Sequence, residues 1–207
     1  ERELQKRFRH GRSAHPIRLV QKRKRRCLAC WMTTATLLTH AHFGGRDIMV
    51  NNAGVLFASD FSTQPLEEID LQLRVNVRGF FLITHAALKY IPNGGRIISS
   101  GSNAGLVVPF AGIAVYAATK SALESFTRGL AREMGSRELT DNLVRPGPLD
   151  ADMNPAGGPL AAASLPNLSI ARYGKTGEVA EAVAFLADPG AAYITGSGIL
   201  VYDGISA

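Results

Sequence analysis

Tyr116 and Lys120 stand four residues apart in a stretch of helical period, so a phenol and an ammonium share one helix face. A cation beside a phenol favours the phenolate and lowers its pKa from about 10 toward the range useful for proton transfer. Ser102 lies upstream, just past an apolar run that reads as a strand, and such strand ends line the ligand crevice of doubly wound sheets. Asn51 and Asn52 close a neighbouring run ahead of Ala53 and Gly54, and glycine has no Cβ to keep a ligand from the backbone. Asn76 sits in the helical segment Arg74 to Gly79, where a buried amide must find hydrogen-bond partners. Pro146-Gly147-Pro148 ends a later run as a rigid turn able to present backbone groups to a ring amide. Each feature alone has an ordinary reading: a surface pair, a loop serine, a turn, a packed amide. Their order along one chain is what gives them weight.

The elements that must position these residues alternate short apolar runs with helical stretches from Arg46 onward, the pattern of a parallel sheet flanked by helices. Strands are expected at Asp47 to Val50, Arg96 to Ser100, Asn142 to Arg145 and Ile199 to Tyr202. Helices are expected at Leu66 to Ile91, Tyr116 to Met134 and Gly177 to Ala187. Residues 149–172, rich in Ala, Pro, Gly and Asn without clean periodicity, read as a surface or lid segment.

The first 45 residues follow another grammar. Eleven of the 23 Lys and Arg residues but only two of the 17 acids fall in residues 1–26, so the formal charge of +6 belongs to that segment and the body is mildly acidic. No aromatic residue interleaves the basic run Lys22 to Arg26, and no recognition module surrounds it, so a solvated tail is preferred to a nucleic-acid arm. A short strand at Ile17 to Val20 and a helix over 29–42 are the candidate elements. Cys27 and Cys30 lack the second pair that a structural zinc site needs, and no metal is expected. The chain opens without a secretory pattern, which points to the cytoplasm. Between Arg96 and Lys120 runs a long uncharged stretch, but its serines, glycines and Pro109 read as strand, loop and helix start, not as a membrane span.

Taken together, Asp47-Ile48-Met49-Val50-Asn51-Asn52-Ala53-Gly54, Asn76, Ser102, Tyr116-Ala117-Ala118-Thr119-Lys120, Pro146-Gly147 and Val201-Tyr202-Asp203-Gly204 resemble the short-chain dehydrogenase/reductase family. Pro109-Phe110-Ala111-Gly112 and Pro146-Gly147-Pro148-Leu149-Asp150, with Asn154-Pro155 and Gly157-Gly158-Pro159, look most like its 3-oxoacyl-carrier-protein-reductase-like branch, and are also similar to a family member described as binding cyclic di-GMP. The resemblance implies an α/β fold, a Rossmann-like doubly wound parallel sheet, here N-terminally incomplete. Residues 1–45 then form a basic atypical segment in place of the first part of the unit, and residues 46–207 the catalytic and C-terminal part.

The resemblance also implies roles. Tyr116 would exchange the proton with a carbonyl or alcohol, Lys120 would hold the nicotinamide ribose and depress the Tyr116 pKa, Ser102 rather than Ser100 would bond the substrate oxygen, and Asn76 would anchor a relay water. NAD or NADP would be bound by Asn51, Ala53, Gly54, Tyr116, Lys120, Pro146, Gly147 and Leu149. The implied activity is reversible reduction of a ketone to a secondary alcohol, with a small carbonyl or alcohol substrate, in a homodimer or homotetramer built on the two long helices and the last strand. A small-residue face of Ala117, Ala118, Ser121 and Ala122 would let helices approach closely.

Departures accompany these matches. Nothing in residues 1–45 supplies the glycine-rich loop that cradles the dinucleotide pyrophosphate, so NAD(P) affinity below that of a complete member is expected. Ala151 replaces a usual threonine, and Asp141 stands where an apolar strand residue is usual. The alternative readings are a non-catalytic binder of a nucleotide such as cyclic di-GMP, or an inactive fragment. With early strands absent, Ile48 to Val50 would form an apolar sheet edge unless Ile17 to Val20 pairs with it.

Overall fold

A computed structural model describes His42 and residues 47–204. The basic run, Cys27, Cys30, the strand read at Ile17 to Val20 and all but the end of the helix read over 29–42 lie outside the described residues.

Strands β1 (Ile48–Asn51), β2 (Arg96–Ser100), β3 (Thr140–Pro146) and β6 (Gly198–Val201) form one parallel sheet in the order β1-β2-β3-β6. Ile97 and Ile98, adjacent in β2, show how the sheet is covered. A strand's side chains alternate between faces, so Ile97 packs with Ala87, Ile91, Leu130 and Leu139 on one side, while Ile98 packs with Val144 and Leu186 on the other. The first side is covered by α1 (Leu66–Gln72), a π-helical segment (Leu73–Gly79), α2 (Phe80–Ala87) and α3 (Ala114–Met134). The second is covered by α5 (Thr176–Ala187). Helices on both faces of a parallel sheet make the doubly wound architecture that the alternation of runs predicts.

Along α3, Ala117, Lys120, Leu123, Glu124, Thr127, Leu130 and Ala131 are all buried, a stripe at spacings of three and four. Ala117 therefore belongs to the inner face. That corrects the expected small-residue outer face, since its position is in register with the buried stripe, whereas Ala118 and Ser121 are exposed. The predicted helix Leu66 to Ile91 is interrupted by the π-helical segment, within which Asn76 is buried. Parallel register aligns Ser99 with Leu143 and Ser100 with Val144, which brings the C-terminal ends of β1, β2 and β3 to one end of the sheet.

The lid segment carries short elements: β4 (Leu149–Asp150) pairs in parallel with β5 (Gly174–Lys175), and α4 (Ala161–Ser164) packs in a small cluster of Ala161, Leu168 and Tyr173. Among the described residues β1 pairs with β2 alone, and Val50 is 50% exposed. No helix among them is long and apolar enough to cross a membrane.

Candidate active site

A cavity of about 360 Å³ opens beside the C-terminal ends of the strands. Its inner end is made by α3, by the loop after β2 and by the turn after β3. Tyr116 and Lys120, one turn apart on α3, both line it, with Ser102 opposite. Ser102 is placed by its own capping of the short turn Asn103–Gly105: its Oγ accepts from the Ala104 N–H at 3.1 Å. Gly105 then packs so closely on α3 that a Cβ there would lie 3.1 Å from the Lys120 backbone. The loop that carries Ser102 is thus pressed onto the helix that carries Tyr116.

Lys120 is almost fully buried, and its Nζ donates to the Ser100 carbonyl at 2.8 Å. Burial disfavours the ammonium and brings its pKa down to about 8. The same desolvation acts on Tyr116 in the other direction. Burial raises the phenol above its ordinary value, and the hydrogen-bonded Ser102 hydroxyl opposes that rise. This corrects the expectation of a Tyr116 pKa depressed by Lys120. The ammonium lies 5.7 Å from the ring centroid and is committed to the Ser100 carbonyl, so burial outweighs the cation.

Asn76 lies behind the cavity rather than in its wall. Its Oδ1 accepts from the Val55 N–H at 2.8 Å, and its Nδ2 donates to the Val55 carbonyl at 2.8 Å and to Thr119 Oγ1 at 3.1 Å. Thr119 in turn donates to the Tyr116 carbonyl at 2.7 Å. The amide therefore clasps the chain just after Gly54 and reaches the helix between Tyr116 and Lys120.

The other predicted residues divide. Gly54, Pro146, Gly147 and Leu149 line the cavity. Asn51 does not: its Nδ2 donates to Thr84 Oγ1 at 3.1 Å and to Ser99 Oγ at 3.3 Å, turned toward α2. Ala53 is exposed and outside the lining, while Asn52 lines it. Asn51 is the last residue of β1, and Asn52 is the first residue past it, where the chain leaves the sheet. Gly147 is fixed by packing, since a Cβ would stand 2.7 Å from Tyr202 Cβ. Sequence reading missed Thr119, whose hydroxyl links Asn76 to α3, and the apolar wall of Phe110, Ile113, Met153 and Leu160. No period marks that wall, because its residues come from loops and the lid. Among the described residues no cluster of His, Cys, Asp and Glu could hold a metal ion.

Comparison with known proteins gives concordant matches. A family model described as enoyl-(acyl carrier protein) reductase matches residues 32–206, beginning upstream of Gly45. The cyclic-di-GMP-binding biofilm dispersal mediator protein of Escherichia coli is 42% identical over 154 residues, spanning 74% of this chain and 65% of its own length. The 3-oxoacyl-[acyl-carrier-protein] reductase of Vibrio cholerae is 40% identical over 166 residues, spanning 79% of this chain and 68% of its own length. The crystal structure of a short chain dehydrogenase from Burkholderia cenocepacia in complex with NADP superposes with a TM-score of 0.84 at 42% identity, covering 86% of this chain and 73% of that one.

Proposed function

The chain belongs to the short-chain dehydrogenase/reductase family of NAD(P)-dependent oxidoreductases, and from that premise we propose that it reduces a ketone reversibly to a secondary alcohol, with Tyr116 as the proton donor. The observation that carries this reading is the convergence of the Ser102 and Tyr116 hydroxyl-bearing side chains with Lys120 on one mainly apolar cavity.

The residues present fit the nicotinamide-ribose end of a dinucleotide. Beside Gly54 is a space that a Cβ would fill, 3.5 Å from Asn76 Oδ1 and 3.7 Å from Lys120 Nζ, so the missing side chain leaves room next to a buried donor. Lys120 would hold the ribose hydroxyls there, with Gly54, Pro146, Gly147 and Leu149 bordering the ring. A bound nicotinamide cofactor supplies or accepts the hydride. The chain's own residues do the rest. The Ser102 hydroxyl donates to the substrate oxygen and holds it beside the phenol. Tyr116 keeps its proton, because burial raises its pKa, until negative charge develops on that oxygen in the transition state, and then delivers it. Asn76, through Val55 and Thr119, fixes the angle between the Gly54 loop and α3.

The wall supports a neutral, mainly apolar ketone. Phe110, Ile113, Met153 and Leu160 face the space beyond Ser102, and Asp152 lies at the lining. Among the described lining residues Lys120 is the one cation, and it is already bonded to a carbonyl. The name of the Escherichia coli relative motivates a second reading, a site for cyclic di-GMP, whose two phosphates would have to share that cavity.

Absorbance of NADPH in the presence of an aryl alkyl ketone, with calorimetric titration of NADPH and of cyclic di-GMP, separates the readings. Saturable oxidation of NADPH supports the reductase. Cyclic di-GMP heat without turnover supports the binder. A homodimer or homotetramer completes the proposal, and a single monomeric species in sedimentation at micromolar concentration contradicts that part of it.

A further inference from the structure

The buried stripe of α3 carries two charged residues, and the reaction proposed above uses only one of them. Glu124 stands one turn beyond Lys120 and two beyond Tyr116, and is 5% exposed. A carboxylate in that position must be neutralised or paired. Arg145, the residue immediately before Pro146, pairs it through both arms of the guanidinium: Nε reaches Oε1 at 2.7 Å and Nη2 reaches Oε2 at 2.5 Å. The third nitrogen, Nη1, donates to the Gly198 carbonyl of β6 at 2.6 Å. From the solvent side Arg128 reaches the same carboxylate only at 3.8 Å.

Gly198 explains how the guanidinium fits. A glycine inside a strand weakens it and marks a close approach by another group. Here a Cβ would lie 2.0 Å from Arg145 Cζ, so any side chain at 198 would occupy the space of the guanidinium. Three elements therefore meet at one planar group: the helix of Tyr116 and Lys120, the strand that runs into Pro146-Gly147, and β6. A buried ion pair adds little stability over a well-packed apolar pair of the same volume, but its fork geometry fixes distance and orientation.

We propose that Glu124, Arg145 and Gly198 form a positioning clasp that sets the Pro146-Gly147 turn against Tyr116 and Lys120. The inference rests on the reductase reading for its kinetic consequence, and on geometry alone for its structural one. The Gly147 N–H donates to the Val201 carbonyl at 3.1 Å, so amide exchange at Gly147 reports the seating of the turn without any turnover.

The test compares the wild-type chain, Arg145→Lys, and the double variant Glu124→Leu/Arg145→Met, which removes both charges at similar volume. Thermal unfolding, hydrogen exchange over the turn, and kcat and KM for NADPH are measured on each. In the double variant the unfolding midpoint is expected to stay near wild type while Gly147 exchanges at least tenfold faster and KM for NADPH rises at least tenfold. Arg145→Lys keeps the charge but loses the fork, and should show the same two changes at smaller size. Unchanged exchange at Gly147 in both variants overturns the clasp; should the double variant not fold, Arg145→Lys alone decides. A wild-type chain without turnover sinks the reductase reading, yet leaves the exchange comparison able to decide for or against the clasp.

Discussion

The cavity wall made by α3 and the end of β2 holds its polar side chains with partners, whereas the wall contributed by residues 149–164 leaves Met153 47% exposed. On the first wall Lys120 and Ser102, and behind it Thr119 and Asn76, are buried and tied by bonds between 2.7 and 3.1 Å. The second is held mostly by short-range ties within the lid segment, among them a two-residue parallel pair, the bridge from Ala151 to Asn154 and the Ser164 hydroxyl on the Leu160 carbonyl, with the Arg172–Glu178 ion pair joining it to α5. Side chains ordered by several bonds present fixed geometry to a reacting atom, and preorganised geometry is what proton transfer rewards. An apolar, half-exposed wall tolerates different shapes. The two walls thus separate the reaction from the choice of reactant.

The largest effect should come from Tyr116→Phe, which removes one oxygen from the first wall. We expect kcat for ketone reduction to fall by roughly 10²- to 10⁴-fold, with the unfolding midpoint unchanged or raised. A variant retaining more than about a tenth of the wild-type rate would point to another proton donor.

Next is Asn76→Ala, which strips the Val55 N–H and carbonyl of their partner and leaves the Thr119 hydroxyl with the Tyr116 carbonyl alone. A fully buried orphaned polar group costs about 1–3 kcal/mol, and the two Val55 groups are only half-buried, so urea unfolding should show a combined loss of about that size along with a fall in turnover. Turnover lost at unchanged stability would mean that the amide acts on the reaction directly rather than by holding the loop to the helix.

A smaller effect is expected at Asp141, on the same face of β3 as Arg145 but without its partner. The carboxyl is buried with no counter-charge among the described residues; burial pushes the acid up to about 8, and the neighbouring Thr127 hydroxyl opposes that rise only in part. Between the ordinary value of 3.8 and that of about 8, the folded chain keeps a proton that the unfolded chain has released. Stability from this group is therefore complete at low pH and is lost as pH rises through the window. Asp141→Asn removes the slope. Its unfolding midpoint should exceed the parent's at pH 8, with the gap closing toward pH 4. A gap that does not narrow on acidification would show that the Asp141 pKa is not raised in the folded chain, and a parent more stable than the variant at pH 8 would show that the carboxylate has a counter-charge.

The smallest effect belongs to the second wall. Met153→Ala should shift KM for an apolar ketone by no more than a few fold and leave kcat near wild type, because a half-exposed side chain adds little apolar contact. A fall in kcat equal to that of Tyr116→Phe would erase the distinction between the walls.

Much of the first wall was legible in the chain and little of the second. The four-residue spacing of Tyr116 and Lys120, and a serine just past an apolar run, are local patterns that a helix and a parallel strand convert directly into neighbours. The pKa of Tyr116 was not legible, because it depends on how much protein surrounds the ring, and that is set by the loop of Ser102 pressing on α3. Asn51 and Asn52 look equivalent as letters; the end of β1 falls between them, with one bonded to Thr84 and the other at the cavity. Glu124 and Arg145 are far apart in sequence and meet only because β3 lies under α3. The lid's contacts follow from loop geometry, which no hydrophobic period encodes.

The π-helical segment Leu73–Gly79 also works as a vernier. Wider turns of this kind hold an additional residue relative to an α-helix, so the faces before and after them are offset by about 100° from an uninterrupted helix. Gln72, at the near end, accepts the Phe57 N–H at 3.3 Å. Phe80 and Phe81, at the far end, meet Phe126 with ring centroids 5.3 and 4.6 Å away. The two contact surfaces are in phase only because of the additional residue between them. Deleting Val75 would leave the composition of the helix nearly untouched, yet would rotate the phenylalanine pair away from Phe126, so this helix is more sensitive to its residue count than to most changes of residue type.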